Sequence, residues 1–275
     1  MKKKDCMIYA EEAKAMNPID DNFFVKMAED IGFCEELLQT VLKDKELKVL
    51  TVTPQAMIKN LQGRSVILDA HCILGNGKHI NIEVQKADDD NHQKRVRYNG
   101  ACLTANITDP GVKFEKVPDV TIVYITKNDI FNKGKVLYHI DRTIRGTDCV
   151  LDNGFKEIYV NAKVKDDTDV SELMTIFTEN KAYNDKKFPR ISARKRYFKE
   201  TPEGVKIMCQ IIQSIVEKEN EIVSNEEKLN SIKDALELLR VQNPQISLME
   251  FFDYLSKKER FKDIGKEIIE EIFYE

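Results

Sequence analysis

The stretch VILDAHCILGNGKHINIEVQ, residues 66–85, decides the fold of this chain. Two alternating runs, 66–74 and 79–85, flank Gly75, Asn76 and Gly77. Alternation with a period of two is the mark of a strand with one buried face. A three-residue loop with a glycine in the left-handed conformation is a common way to join two such strands. Centring the hairpin on Asn76 pairs position i with 152 − i. Leu68 then opposes Val84, Ala70 opposes Ile82 and Cys72 opposes Ile80, all on one apolar face. The other face pairs Asp69 with Glu83, His71 with Asn81 and Ile67 with Gln85. A two-residue Asn-Gly turn would shift the register by one and set apolar residues against polar ones.

The favoured register places two carboxylates side by side, with Cβ atoms about 4.5–5.5 Å apart. Like charges at that distance repel unless something positive sits between them. A divalent cation answers this need, because hard ions such as Mg²⁺ take carboxylate, water and phosphate oxygens. Gln85 shares the face of Glu83, and the backbone carbonyl of Val84 offers one more oxygen. The plain alternative is an exposed acidic pair neutralised by Arg or Lys of the same chain.

Outward from the hairpin, helical periodicity runs through 22–43, with Asp20 and Asp21 where N-caps belong and Gly32 dividing the run into two short helices. The segment from Leu47 to Val66 is β-rich, with Pro54 and Gly63 as breaks. The acidic turn Asp88 to Asp90 opens a helix reaching Ile107, and Asp109, Pro110 and Gly111 close it. Residues 119–126 form a continuous apolar run, the pattern of a buried strand. Strands over 135–141 and 155–162 and a helix over 170–180 follow. Beyond Asn180 the chain reads as helical. Thr201-Pro202 is an N-cap with Pro at the first helical position. Ser224…Glu227 and Ser247…Glu250 match the capping box, and Asn243-Pro244 separates those two segments. The expected organisation is an α/β domain over 1–185, a basic linker over 186–200 and a helical region over 201–275.

Asp69, thirteen residues, then Glu83-Val84-Gln85 resembles the PD-(D/E)xK nuclease superfamily. The ordered blocks are more specific: Asn17 to Phe24, Ile58-Lys59-Asn60-Leu61, Ile82 to Gln85, and Lys94-Arg95-Val96-Arg97-Tyr98. Together they look like the PD-(D/E)xK nuclease family transposases, which are similar to bacterial recombination-promoting nucleases, over residues 17–200. The resemblance implies a restriction-endonuclease-like α/β fold: a helix, a mixed sheet with a catalytic hairpin, a crossover helix and a further strand, here followed by a helical C-terminal region. It implies a Mg²⁺-dependent DNA endonuclease, with Mn²⁺ as the alternative ion, linked to transposition, recombination or defence against foreign DNA. Asp69, Glu83 and the Val84 carbonyl would hold the metal. Glu29 or Glu36 stands where some relatives place a further acid. The chain departs from the superfamily at Gln85, where a Lys usually stabilises charge at the phosphorus. Gln can orient water or phosphate but carries no charge. Strand parity turns Lys86 away, so Arg95, Lys94 or Arg97 is left to supply the charge.

Lys94, Arg97 and Tyr98 read either as a rim that binds DNA phosphates or as a solvated helix face. Within the fourteen acid-free residues 186–199, Lys187, Arg190, Arg194 and Arg196 read either as a DNA-backbone grip or as a linker docked on acids of its own chain. His71 lies near the acidic pair or is a plain surface histidine. Formal net charge is −4, which excludes a histone-like polycation but not a local phosphate-binding patch. The six cysteines form no C-x-x-C pair, so reduced core thiols are expected. The basic start Met1 to Asp5 is followed by no apolar signal core, and nothing approaches the ~18 apolar residues of a membrane span, so a cytoplasmic protein without a membrane partner is expected. The C-terminal helices suit either a homodimer or packing on the core. The competing function is a non-catalytic nucleic-acid-binding or protein-interaction module on a nuclease fold.

Overall fold

The computed structural model describes residues 8–60, 63–88, 91–261 and 264–274. The basic start Met1 to Asp5, Cys6, Leu61 of the second block, and Asp89 and Asp90 of the acidic turn lie outside the described residues.

A six-stranded mixed sheet contains β1 (Val49–Ile58), β2 (Val66–Leu74), β3 (His79–Gln85), β4 (Val120–Thr126), β5 (Leu137–Ile140) and β6 (Phe155–Asn161). Their spatial order is β1-β2-β3-β4-β6-β5. The β2–β3 hairpin pairs Ala70 with Ile82, His71 with Asn81 and Cys72 with Ile80, the register expected from the alternation. Gly77 closes the loop at φ +80°, a conformation that only glycine adopts without cost, and its N–H donates to the Leu74 carbonyl at 3.0 Å. β3 then runs parallel to β4, and β4 parallel to β6. Pro54, expected as a break, lies inside β1 instead. β1 is an edge strand, where a residue lacking an N–H removes no ladder bond on the open side.

The helices are α1 (Ala10–Ala15), α2 (Asp21–Ala28), α3 (Ile31–Val41), α4 (His92–Ile107), α5 (Asp169–Thr178), α6 (Pro189–Glu200), α7 (Pro202–Gln242), α8 (Leu248–Ser256) and α9 (Lys266–Tyr274). The expected split of the first long run occurs between α2 and α3, where the Asp30 carboxylate accepts the Phe33 N–H at 2.9 Å and starts a new helix. Phe24 and Phe33 pack with Phe177 of α5. Val96 and Leu103 of the crossover helix α4 pack on Ile122, Tyr124 and Tyr159 of the sheet. Gly100 permits that approach, since a Cβ there would lie 2.4 Å from the Phe155 ring. Covered on both sides, β3 is buried from Ile80 through Val84, so the polar side chains it carries are buried too.

The segment expected as a linker is instead helix α6. Its N-terminus is capped by Glu36 of α3, whose carboxylate accepts the N–H groups of Arg190 and Ile191. Lys187, Arg190, Arg194 and Arg196 pair with acids of the same chain, the docked alternative to a DNA-backbone grip. The chain divides into compact units Met1–Gln210 and Ile211–Glu275, later than the composition suggests. No helix starts at Ser224, because α7 runs through it. With no Gly or Pro between Val205 and Gln242, nothing releases the backbone from helix there. The start at Ser247 is a full capping box with Glu250. In the second unit, Ile232 and Leu236 pack with Phe251, Leu255, Phe261, Ile269 and Ile272.

Candidate active site

The acidic pair lies one step beyond the last paired residues of the hairpin, Ala70 and Ile82, on the same 152 − i alignment. There the ladder gives way to a side chain: the Val84 N–H donates to Asp69 Oδ2 at 2.9 Å. That bond fixes the Asp69 carboxylate against β3. Glu83 is only 4% exposed, and its Oε1 accepts from Asn81 Nδ2 at 2.7 Å. Burial, and then the charge of Asp69, push the Glu83 carboxyl well above the usual range. Burial, and then the charge of Asp21, push Asp69 up as well, against the Val84 N–H and Arg95. Two desolvated carboxyls that repel one another hold a proton near neutrality in the absence of another cation.

Asp21, at the start of α2, completes an acidic cluster. Its charge acts on Asp69, Arg95 acts on it in turn, and burial raises its carboxyl. Sequence reading assigned Asp21 only to helix capping. Its one signal was membership of the matching block Asn17 to Phe24. Neither acid considered on the first helical run does this. Glu29 pairs with Lys26 and Arg194, and Glu36 caps α6.

Gln85, at the end of β3, accepts a hydrogen bond from Arg95 Nη1 of α4 at 2.7 Å. Arginine is a donor only, so the amide orientation is forced: Oε1 faces Arg95 and the two N–H donors of Nε2 face outward. Arg95 also draws down the carboxyls of Asp21, Asp69 and Glu83. The positive charge that the strand itself lacks is thus delivered from the crossover helix. Lys86 pairs with Asp20, and its charge also acts on Asp21.

Asn81 is fully buried, and its Oδ1 has no hydrogen-bond partner in the described structure. His71, opposite Asn81, meets His79 at 2.9 Å, and burial lowers His71 to about 4 and lowers His79 as well. Both imidazoles are therefore neutral near pH 7.

The donor set suits a hard divalent ion. A buried carboxylate, Glu83, and a half-buried one, Asp69, lie beside an orphaned amide oxygen, and Mg²⁺ keeps most of its shell as water. Among the described residues no group of three or more His, Cys, Asp or Glu converges as a complete metal cage.

Lys94, Arg97 and Tyr98 line a groove of about 590 Å³ with Arg64. The Tyr98 hydroxyl donates to the Arg64 carbonyl at 2.5 Å and accepts from Asn60 Nδ2 at 3.2 Å, so it fastens the β1–β2 connection to α4. The four cations of 186–199 expected to grip DNA are engaged within their own chain. Lys187 pairs with Asp169 and Glu172, Arg190 with Glu35, Arg194 with Glu29 and Arg196 with Asp185. Lys195 is wholly buried and donates to the carbonyls of Ile176, Glu179 and Ala182 at the end of α5.

Among the described residues, no helix is long and apolar enough to cross a membrane. No curated protein and no solved structure matched the chain. The family model for the PD-(D/E)XK nuclease family transposases matches residues 31–235, a span that holds the hairpin, the crossover helix and both carboxylates, and the chain belongs to that family.

Proposed function

We propose that this chain is a metal-dependent DNA endonuclease acting in transposition, recombination or defence against foreign DNA, with Mg²⁺ as the ion and Mn²⁺ as its substitute. The observation that carries this reading is the Arg95–Gln85 hydrogen bond beside two opposed carboxyls that desolvation raises. Asp69 and Glu83 would hold the ion, with the Val84 carbonyl as the main-chain oxygen. When bound, the ion supplies Lewis-acid charge at the scissile phosphate and lowers the pKa of a bound water. Val84 N–H and Asn81 Nδ2 orient the two carboxylates, so each presents its other oxygen to the site. Gln85 directs its Nε2 donors at a phosphate oxygen or at the attacking water. In this orientation it positions and does not deprotonate. Arg95 offsets negative charge developing on the phosphorane, the task that a motif Lys performs in the superfamily.

Lys94, Arg97 and Tyr98 form the near rim for DNA. Lys187, Arg190, Arg194 and Arg196 would contact DNA only by exchanging their present carboxylate partners for phosphates. A plasmid-nicking assay in Mg²⁺ or Mn²⁺ tests the reading: cleavage should disappear in Asp69→Ala and in Glu83→Ala. Activity surviving in both variants would sink the site. Intact DNA binding with no cleavage by the wild type would favour the non-catalytic binding module.

A further inference from the structure

Two grooves border the Gln85–Arg95 pair. The first, about 590 Å³, is lined among the described residues by Arg64, Lys94, Arg95 and Arg97 and by no carboxylate. The second, about 520 Å³, is lined by Asp20, Asp21, Gln85, Lys86 and Lys127. Arg95 belongs to one groove and Gln85 to the other, and they touch at 2.7 Å. The junction between the grooves is therefore the group that would meet the scissile phosphate. Arg64 is held on the far rim of the first groove by the Tyr98 hydroxyl at its own carbonyl. Lys127 follows β4, and its backbone N–H donates to the Gln85 carbonyl at 3.0 Å, which ties the outer rim of the second groove to the catalytic strand. In that groove Lys86 is occupied by Asp20, whereas Lys127 is an exposed cation on the rim.

We infer that the two grooves are one track for a nucleic-acid strand, with Arg64 and Lys127 gripping backbone phosphates on opposite sides of the bond to be cut. The inference rests on the nuclease reading and deepens it. A track extending to both sides of the reacting group takes a strand that continues in both directions, which is the requirement of an internal cut. The asymmetry of charge gives the two arms different strengths: the Arg64 side carries four cations and grips tightly, while the Lys127 side carries acids and grips loosely.

The test uses the full chain in EDTA and a fluorescent oligonucleotide, in single-stranded and duplex form, with affinity measured across a salt series. Arg64→Ala and Lys127→Ala should each reduce the slope of log affinity against log salt by about 0.7 on the single strand or about 0.9 on the duplex. Lys257→Ala, outside both grooves, should leave the slope unchanged. Oligonucleotides carrying one neutral methylphosphonate then locate each contact. The Arg64→Ala defect should be masked by a substitution on one side of the cut, and the Lys127→Ala defect by a substitution on the other. Wild-type binding with unchanged slopes in both variants overturns the track, as does masking of both defects on the same side. A wild type that neither binds nor cuts nucleic acid overturns the nuclease reading itself, and the track with it.

Discussion

Replacing Arg95 with Met removes the guanidinium whose Nη1 lies 2.7 Å from Gln85 Oε1. A hydrogen bond to a charged group contributes about 1.5–3 kcal/mol. At about 1.36 kcal/mol per tenfold in rate, its loss slows cleavage by about 13- to 160-fold if the bond acts in the transition state. Gln85→Leu removes the other partner and should cost a similar amount. If Arg95 works through and beside Gln85, the Arg95→Met/Gln85→Leu double variant should be little worse than the poorer single one. A charge swap sharpens the test. Gln85→Lys sets an ammonium against the guanidinium, and two such charges about 4 Å apart repel by about 4 kcal/mol at an effective dielectric of about 20. Gln85→Lys should therefore be more damaging than Gln85→Leu while Arg95 is present, and should recover activity when Arg95→Met is added. Single-turnover nicking of supercoiled plasmid in Mg²⁺ reads all of these rates. Losses that multiply in the double variant, or a Gln85→Lys enzyme unaffected by the Arg95 background, would refute the idea of a shared catalytic unit.

Asp69 and Glu83 have raised carboxyl pKa values in the fold, so the folded chain holds protons that the unfolded chain has released. Their contribution to stability is complete below the unfolded carboxylate range and is lost as pH rises through the folded values. The metal-free melting temperature should fall between about pH 5 and pH 8, and Mn²⁺ should restore it most at the upper end, with proton release on binding measurable by calorimetry in buffers of different ionisation heat. A melting temperature that climbs over that range without metal would contradict the raised carboxyls. Asn81→Leu keeps volume but removes the donor to Glu83 Oε1, and Mn²⁺ affinity by calorimetry should drop about 10- to 100-fold; affinity within twofold of wild type counts against the positioning role. Lys195→Met leaves the carbonyls of Ile176, Glu179 and Ala182 without their donor, and the denaturation midpoint should report a loss of at least about 1–3 kcal/mol. An unchanged midpoint would show that those carbonyls find water.

Local pattern alone determined the hairpin. Period-two alternation and a loop of odd length left one register in which apolar residues meet apolar ones, and that register placed Asp69 level with Glu83. The caps at Thr201 and Ser247 were equally local, since each depends on contacts within a few residues. What the sequence could not decide depended on distant partners. The cations of 186–199 carry no mark of whether they face DNA or Glu35, Glu29 and Asp185, and the fold supplied those acids. Asp21 joined the acidic cluster only because α2 packs with its first turn toward β2 and β3. The departure at Gln85 looked like a missing charge when read along the strand. The tertiary structure supplied the charge across the crossover: α4 returns over the sheet, and its first turns bring Arg95 within hydrogen-bond reach of Gln85, ten residues away in sequence but adjacent in space.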